Sequence, residues 1–287
     1  MKKKSFAKVN LSLDVVRKRD DGYHELDMIM VPIDLFDTIS IEISEKMEMT
    51  TNKGYIPIDD KNTIIKAINL MRDKYRFSEN FKIKLVKNTP TQGGLGGGSS
   101  NAATTISMIN EILNLEMTLE EMLEIGEKVG ADVPFCVYGK PARVSGFGEV
   151  IKPIDYNIDF FMFIVKPKWG VSTPKAFGKL DLNNIIHPDI NLVQSSLENN
   201  DYDTFIDSID NSLEAGAVKI VPKIKRIKKD LLKFGFDAAV MSGSGSTVFA
   251  ITRDEDLIDR AVSKFVRKYH FIKKTRVLRD IRDEENI

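Results

Sequence analysis

The run Pro90-Thr91-Gln92-Gly93-Gly94-Leu95-Gly96-Gly97-Gly98-Ser99-Ser100-Asn101 constrains this chain more than any other stretch, because it carries five glycines and two serines directly before a helical pattern. Upstream, Phe81, Ile83 and Leu85 alternate as in a strand; downstream, Ala102, Ile106, Ile109 and Leu113 recur at helical spacing. Strand, glycine loop and helix in that order leave the first backbone N–H groups of the helix without partners. The helix dipole favours an anion there, and glycines let the main chain approach it without Cβ clashes. The loop therefore reads as a phosphate cradle. It is not a Walker A loop, which needs Gly-Lys-Ser/Thr where this chain has Gly98-Ser99-Ser100. Nor is it a dinucleotide fingerprint, since Ser99 stands where that motif requires glycine or alanine.

Strand and helix patterns extend along the chain. Ala7, Val9, Leu11, Leu13 and Val15 alternate with polar residues, which predicts a strand with one buried face and places Lys8 and Asn10 together on the other. Extended runs follow through Met28, Met30 and Val31 and through Ile39, Ile41 and Ile43. A helix is predicted from Asn62 to Tyr75 with Asn62 as its cap, and Thr118 with Glu121 forms a capping box for a helix ending near Gly130. Beyond Pro153 the pattern restarts with the apolar run Phe160 to Val165, so two closely packed domains are expected, residues 1–155 and 156–287. Later elements include helices over Leu192 to Leu213 and Val218 to Leu232. Strands at Ala238 to Met241 and Val248 to Ile251 flank a Ser/Gly loop, and a helix runs from Leu257 to Tyr269. The charged end from Arg279 to Ile287 is expected to be solvated or frayed.

Forty-two basic residues balance forty-two acidic ones in 287, so no overall field favours nucleic acid or an anionic membrane, and an anionic ligand must be bound locally. Cys136 is the only cysteine, which excludes an internal disulfide and a cysteine-based zinc site and makes the cytoplasm the default address. No stretch approaches the roughly 18–20 apolar residues of a spanning helix.

The glycine loop resembles the phosphate-binding motif of the GHMP kinases, the family of galactokinase, homoserine kinase, mevalonate kinase and phosphomevalonate kinase. Four further motifs resemble, in order, those of one branch of that family: Ala7-Lys8-Val9-Asn10-Leu11-Ser12-Leu13, Asp21-Gly22-Tyr23-His24-Glu25, Gly130-Ala131-Asp132-Val133-Pro134-Phe135 and Ser242-Gly243-Ser244-Gly245. The match spans nearly the whole chain. It implies an α+β fold of two domains, the first like domain 2 of ribosomal protein S5 and the second a ferredoxin-like α/β unit. It also implies phosphorylation by ATP and Mg²⁺ of the 2-hydroxyl of a cytidine diphosphate-linked polyol in isoprenoid precursor synthesis. Acceptors of the homoserine or mevalonate type give no reason for Gly22-Tyr23-His24. Outside catalysis, the alternatives are a nucleotide sensor that binds without turnover and an RNA-binding module, which would carry a basic stripe.

The resemblance implies that Asp132 is the catalytic base and Lys8 its partner. The chemistry agrees: a carboxylate accepts the proton of a weakly nucleophilic hydroxyl, and a nearby ammonium stabilises negative charge in the transition state. Taken alone, Asp132 would read as a turn or helix cap and Lys8 as a solvated strand lysine. Asn10 is implied to orient the acceptor or Lys8, with an ordinary polar strand face as the alternative. Tyr23 and His24 offer a ring for stacking and nitrogens for hydrogen bonds to a cytosine, and Phe177 either completes that pocket or belongs to the core. Asn62 and Lys87 are implied near the adenine, against readings as helix cap and surface charge. ATP's phosphates fall to residues 90–100, with Ser99 or Ser100 available to Mg²⁺. Ser242 to Ser246 is implied beside the substrate's phosphate end, against a simple tight turn. Two departures stand out: Gln92 replaces a usually smaller residue, and Ser5-Phe6 replaces a common Ala-Pro.

Overall fold

A computed structural model describes residues 1–285. The first sheet is laid down by β1 (Lys2–Lys18), β2 (His24–Ser44) and β3 (Glu48–Thr51). It continues after helix α1 (Thr63–Tyr75) with β4 (Asn80–Val86), then helices α2 (Gly97–Leu113), α3 (Leu119–Val129) and α4 (Val133–Tyr138), then β5 (Ala142–Gly146) and β6 (Val150–Pro153). Its order is β3-β4-β2-β5-β6, with β1 also paired to β2, and only β3 and β4 run parallel. The predicted caps are present: Asn62 Oδ1 accepts from the Ile64 N–H at 3.0 Å, and Thr118 and Glu121 close a capping box.

The second sheet comprises β7 (Phe161–Lys166), β8 (Ala238–Met241), β9 (Val248–Thr252) and β10 (Phe271–Thr275) in the order β10-β7-β9-β8, antiparallel throughout. Between β7 and β8 run helices α5 (Thr173–Gly178), α6 (Ile190–Glu198), α7 (Tyr202–Ser208), α8 (Glu214–Ile220) and α9 (Lys223–Phe234); α10 (Glu255–Phe265) follows β9. The two long helices expected over 192–232 are thus four shorter ones. Asp189 and Asp201 cap two of them, and Pro222 precedes the last.

The expectation of one buried face on the first strand fails in an informative way. Ala7, Val9 and Leu11 enter a core shared with Met162, Ile164, Val240 and Phe249 of the second sheet, whereas Leu13 and Val15 join Met28, Ile64, Ile106 and Val144 in another. The register of β1 against β2 shifts between Asn10 and Ser12. Such an irregularity turns the following side chains to the other side of the sheet. Lys8, Asn10 and Ser12 are buried as well, at 3%, 1% and 0% exposure.

The charged end is not frayed where it is described. Lys4 N–H donates to the Glu285 carbonyl at 2.9 Å, Lys140 pairs with Asp280 at 2.9 Å, and Ile281 covers Gly139 so closely that a Cβ there would lie 2.6 Å from its Cγ1. Charge pattern alone misreads a segment whose partners are distant in sequence. Asn286 and Ile287 lie outside the described residues.

Candidate active site

The glycine loop is packed on its inner side. A Cβ at Gly94 would lie 2.0 Å from the Ser242 carbonyl oxygen, at Gly96 2.8 Å from Lys8 Cγ, and at Gly97 2.8 Å from Lys87 Nζ. Gly94 and Gly96 also hold φ of +74° and +64°, a region costly for other residues. These glycines therefore serve close approach of protein groups. On the other side the loop ends in α2, whose N-cap Gly96 supplies no side-chain cap, so its first N–H groups remain free to meet an anion.

Around this helix end the structure gathers Lys8, Asn10 and Asp132. Lys8 Nζ lies 3.3 Å from Asp132 Oδ2 and donates to Asn10 Oδ1 at 2.8 Å. Asp132 sits at the N-cap position of α4 without making a side-chain cap, so its carboxylate, 39% exposed, is directed to Lys8 and solvent. The Lys8 N–H donates to the Leu95 carbonyl at 3.0 Å, which ties β1 to the loop. Cys136 beside this pair is a packing residue: burial, and secondarily the Asp132 carboxylate, push its thiol far up.

The Ser242 to Ser246 loop is no free-standing turn. Ser242 Oγ donates to the Gly94 carbonyl at 2.9 Å and accepts from the Asn10 N–H at 3.4 Å, and the Thr247 N–H reaches the Gly93 carbonyl at 3.2 Å. Thr173 and Ser244 share a hydroxyl contact of 2.8 Å beside it. At the far end of β1 and β2, His24 stacks on Phe177 with ring centroids 4.5 Å apart, and Tyr23 stands 66% exposed with its ring 6.2 Å from that of Phe147. Burial first, then the charge of Lys18, pushes the His24 imidazole below its ordinary value.

Lys87 is not a surface charge. It is buried against the Asp37 carboxylate and donates to Asn101 Oδ1 at 3.0 Å; burial lowers its basicity and Asp37 opposes that. Asp37 also accepts from the N–H groups of Asn88 at 2.8 Å and Thr89 at 2.7 Å and from Asn101 Nδ2 at 2.9 Å. Both ends of the Asn62 amide are engaged by the fold, since Nδ2 donates to the Pro57 carbonyl at 2.6 Å. The role of Asp37 at the centre of this network escaped the sequence reading. The available signal was an acidic residue within the apolar strand pattern of Leu35 and Ile39.

The Ser100 hydroxyl is buried and bonded to the Phe6 carbonyl and to Ser5 Oγ at 2.8 Å, whereas Ser99 makes no such contact among the described hydrogen bonds. Ser5 thus takes part in the support of the loop. Among the described residues no group of three or more His, Cys, Asp or Glu is placed to cage a metal ion, and no helix is long and apolar enough to cross a membrane. Gln92 holds a φ of +50°, and Gly170 gives it room: a Cβ at Gly170 would lie 2.4 Å from Gln92 Cβ.

The N-terminal domain pattern of the GHMP kinases, a family of small-molecule kinases, matches residues 62–140 and the C-terminal pattern residues 193–270, and the chain belongs to that family. Within that family it is similar to 4-diphosphocytidyl-2-C-methyl-D-erythritol kinases. The one from Bacillus cytotoxicus is 40% identical over 259 residues, covering 90% of both chains, and one from Clostridium perfringens is 40% identical over 274, covering 94% of this chain and 95% of the relative. A crystal structure of 4-(cytidine 5'-diphospho)-2C-methyl-D-erythritol kinase superposes with a TM-score of 0.82 at 27% identity, over 96% of this chain and 99% of that one. Homoserine kinase from Cytophaga hutchinsonii shares the fold, with a TM-score of 0.76 at 21% identity over 97% and 96% of the two chains.

Proposed function

We propose that the protein transfers the γ-phosphoryl group of ATP to the 2-hydroxyl of 4-diphosphocytidyl-2-C-methyl-D-erythritol, a step of non-mevalonate isoprenoid precursor synthesis. The observation that carries this reading is 40% identity to kinases of that name across 94% of the chain. The site geometry supports it independently. Asp132 accepts the proton of the acceptor hydroxyl as its oxygen bonds to the γ-phosphorus and the bond to the bridging oxygen of ADP breaks. Lys8, fixed by Asn10 Oδ1 and by its buried stem, counters the charge that builds on the transferring group. Preorganised groups of this kind cost no rearrangement during the reaction.

ATP's phosphates are assigned to the loop of residues 90–100 and the free N–H groups of α2, with Asn62 and Lys87 shaping the adenine side through the fold rather than by free polar ends. His24 and Phe177 receive the cytosine, with Tyr23 at the rim. The donor set suits Mg²⁺ arriving with the polyphosphate, since that ion keeps water and phosphate ligands and needs few from protein; Ser99 is the serine of the loop left to meet it. When bound, Mg²⁺ neutralises charge on the phosphate oxygens. The proposed working unit is a monomer or weak homodimer in the cytoplasm, with the domains divided at residues 155 and 156.

A coupled assay of ADP release with Mg²⁺-ATP tests the reading against three acceptors. Turnover is expected with the cytidyl compound and not with homoserine or mevalonate. Turnover of either alcohol alone discards the proposed substrate, and ATP binding without acceptor-dependent ADP favours a sensor.

A further inference from the structure

Among the described residues, three buried lysines pair with a carboxylate: Lys3 with Glu111 and Glu285, Lys8 with Asp132 and Lys87 with Asp37. Lys166 does not. It ends β7 at 4% exposure, and its ammonium makes one hydrogen bond, to the Pro167 carbonyl at 3.2 Å, with no acidic group near enough to offset its desolvation. An ammonium carries three donors, and a buried charge without a counter-ion is costly to keep.

The hydroxyl of Thr247 is in a similar position, buried with no hydrogen-bond partner among the described residues. Both side chains meet the same point of the main chain. A Cβ at Gly93 would lie 2.7 Å from Thr247 Oγ1 and 3.3 Å from Lys166 Cδ and Cε. Gly93 opens the glycine loop, and the segment following Lys166 wraps that same end, because the Val171 N–H donates to the Gln92 carbonyl at 3.3 Å. A cation without a carboxylate and an unpaired hydroxyl thus lie under the first glycine of an anion cradle.

We propose that Lys166 is a positioning residue whose charge, applied from beneath Gly93 together with the Thr247 hydroxyl, holds the glycine loop in its anion-accepting form and adds positive potential to a bound polyphosphate. The proposal rests on the reading that this loop receives ATP's phosphates. Buried surroundings screen such a charge poorly, so it acts across the loop without touching the ligand. Its desolvation, which lowers the basicity of the amine, is offset when polyphosphate binds.

Calorimetric titration of the full-length protein with ATP, inorganic tripolyphosphate and adenosine, each with Mg²⁺, separates charge from structure. Lys166→Gln retains a donor for the Pro167 carbonyl and removes the charge. It is expected to weaken ATP and tripolyphosphate about tenfold, to leave adenosine unchanged, and to raise the KM for ATP more than it lowers kcat. Lys166→Arg is expected to keep most of the wild-type affinity. Equal weakening of all three ligands marks a structural role and overturns the proposal, as does unchanged tripolyphosphate binding. Wild-type protein that binds neither ATP nor tripolyphosphate instead overturns the phosphate reading of the loop itself.

Discussion

Lys8 Nζ stands between Asn10 Oδ1 at 2.8 Å and Asp132 Oδ2 at 3.3 Å, while Asn10 is itself held by a contact of its Nδ2 with Met28 sulfur at 3.2 Å. The ammonium is therefore aimed by one neutral and one charged partner on different elements. Removing the neutral one frees the lysine to turn. Asn10→Ala is expected to lower kcat about tenfold, the worth of a hydrogen bond to a charged group, with the Kd for ADP unchanged. Steady-state kinetics and nucleotide titration on one preparation check this.

Gly96 tests the loop's inner packing. Its φ of +64° and the 2.8 Å approach of Lys8 Cγ both oppose a side chain, whereas Gly98 has only Thr63 Oγ1 at 3.7 Å and no unusual φ. Gly96→Ala should cost at least ~1–2 kcal/mol of stability from the backbone alone and reduce turnover by displacing Lys8. Gly98→Ala should retain wild-type stability within ~0.5 kcal/mol. Chemical denaturation of the two variants side by side measures the contrast.

Acidity should affect the base pocket through His24. Its folded pKa is depressed below the ordinary 6.5 by burial and by Lys18, so the imidazole is neutral near pH 7. Its contribution to stability is present above about pH 6.5 and lost as pH falls through the folded value. The KM for the cytidyl substrate should accordingly be flat from about pH 8 to about 6.5 and rise below that. His24→Gln should remove this rise, and Phe177→Ala should raise KM at every pH.

The Asp37 carboxylate serves Lys87, Asn101 and two backbone N–H groups at 0% exposure. Asp37→Ala leaves that lysine buried and unpaired, which typically costs about 3–5 kcal/mol. Urea unfolding should show a loss of that size. A loss under about 1 kcal/mol would mean the network contributes little to the fold.

Local signals were legible wherever the physics is local. Asn62, Thr118 with Glu121, and the strands flanking the Ser242 to Ser246 loop stand where capping and short apolar runs predict them. Alternation placed Lys8 and Asn10 on one strand face, while only the resemblance joined Asp132 to them and Phe177 to His24, which no spacing in the chain reveals. Illegible were features set by distant partners. Asp37 of β2 meets Lys87 just past the end of β4, the irregularity after Asn10 sends Leu11 and Leu13 to different cores, and the segment after Arg279 docks on Lys4 and Gly139. β3, β5, β6 and β10 passed unnoticed for the same reason: each is a run of four or five residues whose strand character comes from its neighbours.

The central claim is that Asp132 takes the acceptor's proton beside Lys8, and the most direct measurement is ADP release by Asp132→Asn with Mg²⁺-ATP and 4-diphosphocytidyl-2-C-methyl-D-erythritol. Because Asp132 caps no helix with its side chain, the variant should fold and bind nucleotide as the wild type does. Its kcat should fall by about 10²–10⁴. Turnover at the wild-type rate by the folded variant would contradict the account.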